Sequence, residues 1–260
     1  MSGPSIVFLM YHELEVSGRP LCQPGAGYAR YVVSEQLFRE QMQHLKDHGY
    51  HGLTVGQALE FSGEKRVAIT FDDGSETDLL VAAPVLRQSG FGATFYITSG
   101  WIGQAGHLSV SQLIELSNQG FEIGCHSMSH PYLSDLNDVE LRRETLDAKS
   151  MLEQIIGKPV EHFSCPGGRY DHRVAQAARA AGYRSVATSR IRANSPATDH
   201  FALGRVAILH GLPITSFARI CSGEALPRLR AQGSIRNAAK HLLGSQLYDR
   251  VRGTLLGREN

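Results

Sequence analysis

Two adjacent carboxylates, and two histidines four residues apart, are the residues of this chain whose types and spacing best suit chemistry. Asp72 and Asp73 stand in Val67-Ala-Ile-Thr-Phe-Asp-Asp-Gly74, where a short apolar run meets a glycine. The run reads as a strand and the glycine as the turn that ends it. Successive strand residues point opposite ways, so the two carboxylates are expected to differ in role, one binding a cation and the other reaching toward a substrate. Taken alone, Asp-Asp-Gly also suits an ordinary turn. His126 and His130 lie in Phe121-Glu-Ile-Gly-Cys-His-Ser-Met-Ser-His-Pro131. If the chain makes a helical turn there, both imidazoles share one face, and Pro131 keeps the turn from running on. Two such nitrogens suit one metal ion, although among 12 histidines a chance pair at that spacing is no surprise.

Two histidines and one carboxylate leave coordination positions open. Such a site holds zinc with an activated water, or ferrous iron in an oxygenase. Hydrolysis needs two further groups: a carboxylate that takes a proton from the water and an acid for the leaving group. The second member of the Asp72–Asp73 pair supplies the first. His210, closing the apolar run Val206–Leu209, is the candidate for the second, unless it merely ends a strand. A third segment, Phe163-Ser-Cys-Pro-Gly-Gly-Arg-Tyr170, places a tight loop after a strand. Pro166, Gly167, Gly168 and Tyr170 are expected to face the substrate there, with backbone N–H groups available to an oxyanion. Arg169 could orient a carboxylate such as Asp72, or it is a surface arginine on a plain turn.

Parallel strands with helices outside are the frame that must carry these residues. Strands are expected over Ile6–Met10, Val67–Phe71, Ala93–Ile97, Phe121–Gly124, His162–Cys165, Arg184–Ala187 and Ala202–Leu209. Amphipathic stretches over Glu35–His48, Thr77–Ser89, Ser109–Asn118, Val139–Ile156 and His172–Ala180 read as helices, several closed by a glycine. About seven strand–helix units favour an α/β barrel over an open sheet, with functional residues gathered where strands end. Of the 260 residues, 42% are hydrophobic and 20% charged, ordinary values for a soluble protein. The net charge of +1 gives no electrostatic case for nucleic acid. Four scattered cysteines without a CxxC pair are expected to be free thiols. The first fifteen residues do not read as a secretory signal, and no run approaches the roughly 20 apolar residues of a membrane span. A cytoplasmic protein is expected. Residues 1–225 are taken as the barrel and 226–260 as a basic, helical tail. That tail either packs on the barrel or lies on the cytoplasmic face of a membrane, although Gly244, Gly253 and Gly257 weaken a helix there.

In this order, the segments resemble the polysaccharide deacetylase family, which includes chitin and peptidoglycan deacetylases. Thr70-Phe-Asp-Asp-Gly74 is similar to its first motif, His126-Ser-Met-Ser-His130 to its second and Leu209-His210 to its last; the likeness runs from Met10-Tyr11-His12 to His210. The resemblance implies a deformed barrel of about seven strands with one divalent metal, usually Zn2+, with Co2+ or Fe2+ also able to fit. It implies Asp73, His126 and His130 as ligands, Asp72 as general base and His210 as general acid in the removal of N-acetyl groups from a glycan. The opening Met-Tyr-His and the Pro-Gly-Gly-Arg-Tyr loop are most similar to bacterial members linked to exopolysaccharide biosynthesis. Two departures stand out. The family's third motif usually opens with an arginine where this chain has Ser164, and its Asp-Trp motif is absent, the single tryptophan being Trp101. Arg169 is the expected substitute for that arginine, and His12 is expected to be structural. The competing readings are a lipid-linked amino-sugar deformylase or deacetylase, a cyclic-amide hydrolase, and a barrel that binds glycans without catalysis. An iron oxygenase explains neither Asp72 nor His210.

Overall fold

The computed structural model describes residues 5–23, 25–60 and 63–233. The described residues form ten strands: β1 (Val7–Tyr11), β2 (Leu14–Glu15), β3 (Val33–Ser34), β4 (His51–Leu53), β5 (Arg66–Phe71), β6 (Thr94–Ile97), β7 (Glu122–Cys125), β8 (His162–Ser164), β9 (Ser185–Ala187) and β10 (Val206–Ala207). Seven of them form a parallel ladder in the order β10-β1-β5-β6-β7-β8-β9. These are the seven strands expected from the sequence. β4, which was not foreseen, also pairs with β5, alongside its first residues, Arg66 to Ala68. β2 and β3 pair separately.

The ladder curls into a deformed barrel. Residues 203–205 span the gap between its end strands: the Leu203 N–H donates to Val186 O, the Thr188 N–H to Leu203 O, and the Arg205 N–H to Arg190 O at 3.0 Å. The strand expected over Ala202–Leu209 is therefore cut down to β10, because residues 200–202 make a tight turn and 203–205 serve as this bridge.

β1 and β5 are buried along their whole length, as a parallel sheet covered on both faces requires. Alternate residues supply two separate cores. Val7, Leu9 and Tyr11 with Val67, Ile69 and Phe71 face the helices, where Tyr11, Phe71 and Phe95 stack with ring centroids 5.2 and 4.9 Å apart. Phe8, Ala68, Tyr96, Ala187 and Leu203 fill the inside. The Tyr96 ring occupies so much of the interior that a Cβ at Gly124 would come within 2.4 Å of it.

Helices Glu35–Asp47, Val110–Asn118 and His172–Ala180 start where Ser34, Ser109 and Asp171 accept a hydrogen bond from a first-turn N–H. Two of the helices expected from the sequence, Thr77–Ser89 and Val139–Ile156, each contain a wide π turn, at Asp78–Ala82 and Arg143–Asp147, a feature that often marks functional regions. All four cysteines are free. Among the described residues no helix is long and apolar enough to cross a membrane. Residues 234–260, which carry most of the proposed tail, lie outside the described residues.

Candidate active site

The site sits at the C-terminal mouth of the barrel, where β5 and β7 end. Along β5, Ala68 and Thr70 face inward, and strand alternation carries Asp72 inward as well. Asp73 should then point away. It does not, because its backbone turns to φ 81° and Gly74 follows at φ 82°, which brings both carboxylates to the same mouth. A left-handed aspartate is uncommon, and such strain gathers at functional sites. Ser127 (φ 67°) and His130 (φ 61°) share this conformation. The helical turn expected for the two histidines is therefore absent. Two left-handed bends bring their rings to a 5.0 Å centroid separation instead. Glu144, on the second π turn, holds this loop by accepting from the Met128 and Ser129 N–H groups at 2.8 and 2.9 Å and from the Ser129 hydroxyl. Sequence reasoning passed over Glu144, since nothing in a helical pattern marks it.

The donor set fits a cation. His126 Nδ1 donates to the Ser164 carbonyl at 3.0 Å, which leaves Nε2 as the lone-pair nitrogen. That Nε2 lies 3.6 Å from Asp73 Oδ1, and His130 Nε2 lies 3.4 Å from the same oxygen. One ligand atom from each of the three residues falls within 4.8 Å of the others. Asp73 Oδ1 is buried and has no hydrogen-bond partner. Lone pairs facing one another in a buried pocket call for a positive ion between them. Without one, burial and then Asp72 push the Asp73 carboxyl up to about 8, and burial pushes His126 down to about 3 against the pull of Asp72.

Asp72 is held differently. Arg205 donates to it through two nitrogens, Nη1 to Oδ1 at 2.6 Å and Nη2 to Oδ2 at 2.7 Å. Arg205 also reaches Thr70 Oγ1, Ser164 Oγ and Thr188 O, and its side chain is wholly buried. Burial alone would raise Asp72, but Arg205 and then His126 hold it well below the usual carboxylate range, so it is ionised and aimed. Arg169 does not play this part. It is half-exposed, lies 3.8 Å from Asp135 and rests over the Tyr132 ring. The position vacated at Ser164 is filled by an arginine from the bridge at 203–205, with Ser164 as its hydrogen-bond partner. The signal that could have found it is a charge inside the apolar run Ala202-Leu-Gly-Arg-Val-Ala-Ile-Leu209, since a strand buried on both faces excludes unpaired charge.

Two further histidines carried expectations, His210 as a general acid and His12 as a structural residue. His210 is exposed, and its Nδ1 is engaged with Val32 O at 3.0 Å. His12 directly follows β1; the parallel register sets Tyr11 beside Phe71, and Tyr11 O accepts from the Asp72 N–H. His12 therefore lies next to Asp72 at the mouth. It lines the same cavity of about 1090 Å3 as Asp72, Asp73, His126 and His130. Its Nδ1 is buried without a partner, and Tyr31 packs on its ring at 4.8 Å. Burial lowers it to about 4, with Asp72 pulling the other way.

The loop after β8 contributes Gly167 (φ 59°) and Gly168 (φ 67°) to the cavity lining. The Gly168 N–H is spent on Cys165 O and the Arg169 N–H on Pro166 O. Pro166 is buried, and Tyr170 packs against the Arg190 guanidinium at 5.0 Å; neither lines the cavity.

A curled parallel barrel thus carries, at its strand ends, a carboxylate–histidine–histidine cluster that could hold a metal ion. A sequence profile for polysaccharide deacetylases matches residues 61–186. Bacillus subtilis YxkH, whose name places it among polysaccharide deacetylases, is 31% identical over 215 residues, covering 80% of this chain and 73% of that protein. A peptidoglycan-N-acetylglucosamine deacetylase of Bacillus cereus is 36% identical over 126 residues, covering 48% of this chain and 57% of its own length. The solved structure of the Streptococcus pyogenes deacetylase PplD with acetate superposes at a TM-score of 0.75, with 25% identity, over 85% of this chain and 99% of that one. The chain belongs to the polysaccharide deacetylase family, hydrolases that act on carbon–nitrogen bonds.

Proposed function

We propose that this protein removes N-acetyl groups from an amino-sugar glycan, with Asp73, His126 and His130 holding a divalent metal and Asp72 acting as general base. The observation that carries the reading is the division of labour between adjacent carboxylates: Asp73 Oδ1 is unpaired between two imidazole nitrogens, while Asp72 is bonded through both oxygens to Arg205. When bound, the metal would supply Lewis-acid polarisation and a more acidic water.

Asp72, kept ionised by Arg205, takes a proton from the attacking water. Gly167 lines the cavity, and its N–H is the candidate donor to the oxyanion. His12 is better placed than His210 to protonate the departing amine, because it lines the cavity beside Asp72. One proton leaves the attacking water and one must reach the amine, so His12, neutral at rest, relays to the departing nitrogen the proton that Asp72 has accepted.

The test is acetate release from N-acetylglucosamine oligomers, run beside metal analysis. Asp72→Asn should keep its metal and lose about 10²–10⁴-fold in kcat. Unchanged turnover in that variant, with metal still bound, would refute the assignment.

A further inference from the structure

The catalytic groups occupy only one side of the cavity. Arg190, Arg192 and Arg230 line another part of it, and no step of the proposed reaction uses them. Among the described residues, Asp72 and Asp73 are the only carboxylates that line the cavity, and both are committed at the site. The arginines converge on one short stretch: Arg230 Nε donates to Ile191 O, midway between the other two, at 3.1 Å. Arg192 is fixed by a bond to Ala202 O, while its Nε is buried without a partner. Burial first, and then the positive charges of Arg190 and Arg230, lower the Arg192 guanidinium from its ordinary value. Asp199 pulls it the other way, but that carboxylate is paired with Arg179 at 3.2 Å. Like charges gathered in a pocket repel one another, and guanidinium groups are the side chains best suited to hold phosphate or carboxylate.

This stretch is also tied to the catalytic residues. The Arg205 N–H donates to Arg190 O. Gly204 lets the backbones approach, since a Cβ there would come within 2.3 Å of Arg192 Cγ. The arginines are therefore held in register with Asp72.

We propose that Arg190, Arg192 and Arg230 form a subsite for an anionic group of the glycan, a phosphoryl or carboxylate group on a unit flanking the amino sugar that is cleaved. The proposal rests on the deacetylase reading and names the charge class of its substrate.

The experiment compares acetate release from three probes of equal length. One is a neutral N-acetylglucosamine oligomer, the second carries a reducing-end 1-phosphate, and the third alternates N-acetylglucosamine with a uronic acid. At least one charged probe should exceed the neutral one about tenfold in kcat/KM, the effect of one charge-assisted hydrogen bond. The advantage should shrink as salt rises. The double variant Arg190→Gln, Arg230→Gln changes two exposed side chains and should bring the charged-to-neutral ratio to about one. A gain confined to the phosphorylated probe assigns a phosphoryl group; a gain confined to the uronate probe assigns a carboxylate. Equal kcat/KM for all three probes, or a preference that survives the double variant, overturns the subsite and leaves the deacetylase reading standing. No release from any probe by the metal-bound protein overturns both.

Discussion

The sheet carries two carboxylate–histidine clusters, one at each end of the barrel. At the N-terminal end, Glu122 accepts from Thr94 Oγ1 at 2.5 Å, Thr54 Oγ1 at 3.1 Å and the Gly56 N–H at 3.0 Å. His162 lies beside it, with Nδ1 2.8 Å from Ser185 Oγ and Nε2 3.6 Å from Glu122. There the carboxylate is satisfied by neutral donors of the protein itself. At the C-terminal end, Asp73 Oδ1 faces two imidazole nitrogens and has no donor at all. The residue types are alike and the sheet is shared. What separates the two carboxylates is whether their own hydrogen bonds close without a ligand: those of Glu122 do, although His162 Nε2 beside it has no hydrogen-bond partner, and those of Asp73 do not.

The contrast can be broken most sharply at Asp73. Asp73→Ala should abolish metal retention and activity, measured by metal content and acetate release. It should leave the metal-free protein at least as stable as the wild type, because it removes a buried, unpartnered carboxylate. The two histidines beyond the ligands come next. His12→Gln should lower kcat by about 10²–10⁴-fold, whereas His210→Gln should stay within about threefold, as expected of a side chain outside the catalytic step. Equal losses in both variants would remove His12 from the acid role. Glu144→Gln acts one step further out: loosening the loop between His126 and His130 should weaken metal affinity about 10–100-fold, read by competition with a chelator.

At the other end of the barrel, Glu122→Ala should lower stability by about 2–3 kcal/mol by stranding its donors, measured by denaturant unfolding. The kcat of the folded fraction should not change.

The smallest effect separates the clusters by pH. Asp73, raised to about 8 in the metal-free state, binds a proton in the folded protein that the unfolded chain has already lost. Its contribution to stability is present below the ordinary carboxylate range and is lost as pH rises through about 8. His126 and His12, lowered to about 3 and 4, act in the opposite sense, and only below about 6.5. Between pH 6.5 and 8 Asp73 should therefore cost the metal-free protein up to about 1.4 kcal/mol per pH unit, on top of any slope from the buried Asp78 carboxyl, which is raised as well. Saturating zinc should remove the Asp73 share of the slope. A flat profile under chelator would show that Asp73 is satisfied within the protein.

Much of the frame was legible because its signals are local. The apolar runs that became the seven ladder strands, and the glycines at 49, 90, 120, 157 and 182 that take positive φ after helices, follow from period and backbone preference within a few residues. The residues of the candidate cluster were legible because the Asp72–Asp73 and His126–His130 pairs lie in short motifs, with Asp73 singled out only by the family resemblance. The bends that join the two histidines were not, since a spacing of four suggests a helix unless tertiary contacts impose left-handed backbone. Thr98 and Gly100 impose it here: the Thr98 hydroxyl donates to His126 O, and the Gly100 N–H to Met128 O at 2.8 Å.

By itself, the sequence determined the α/β alternation, the His126–His130 pair and the pairing of two adjacent carboxylates, because each is written within a dozen residues. Only the tertiary structure decided who holds and who assists Asp72. Arg205 lies 133 residues away along the chain and His12 sixty. Both arrive through the flanking of β5 by β1 and the bridge at 203–205. Strand order and barrel closure depend on the summed packing of two cores, and no local pattern in the chain encodes that sum.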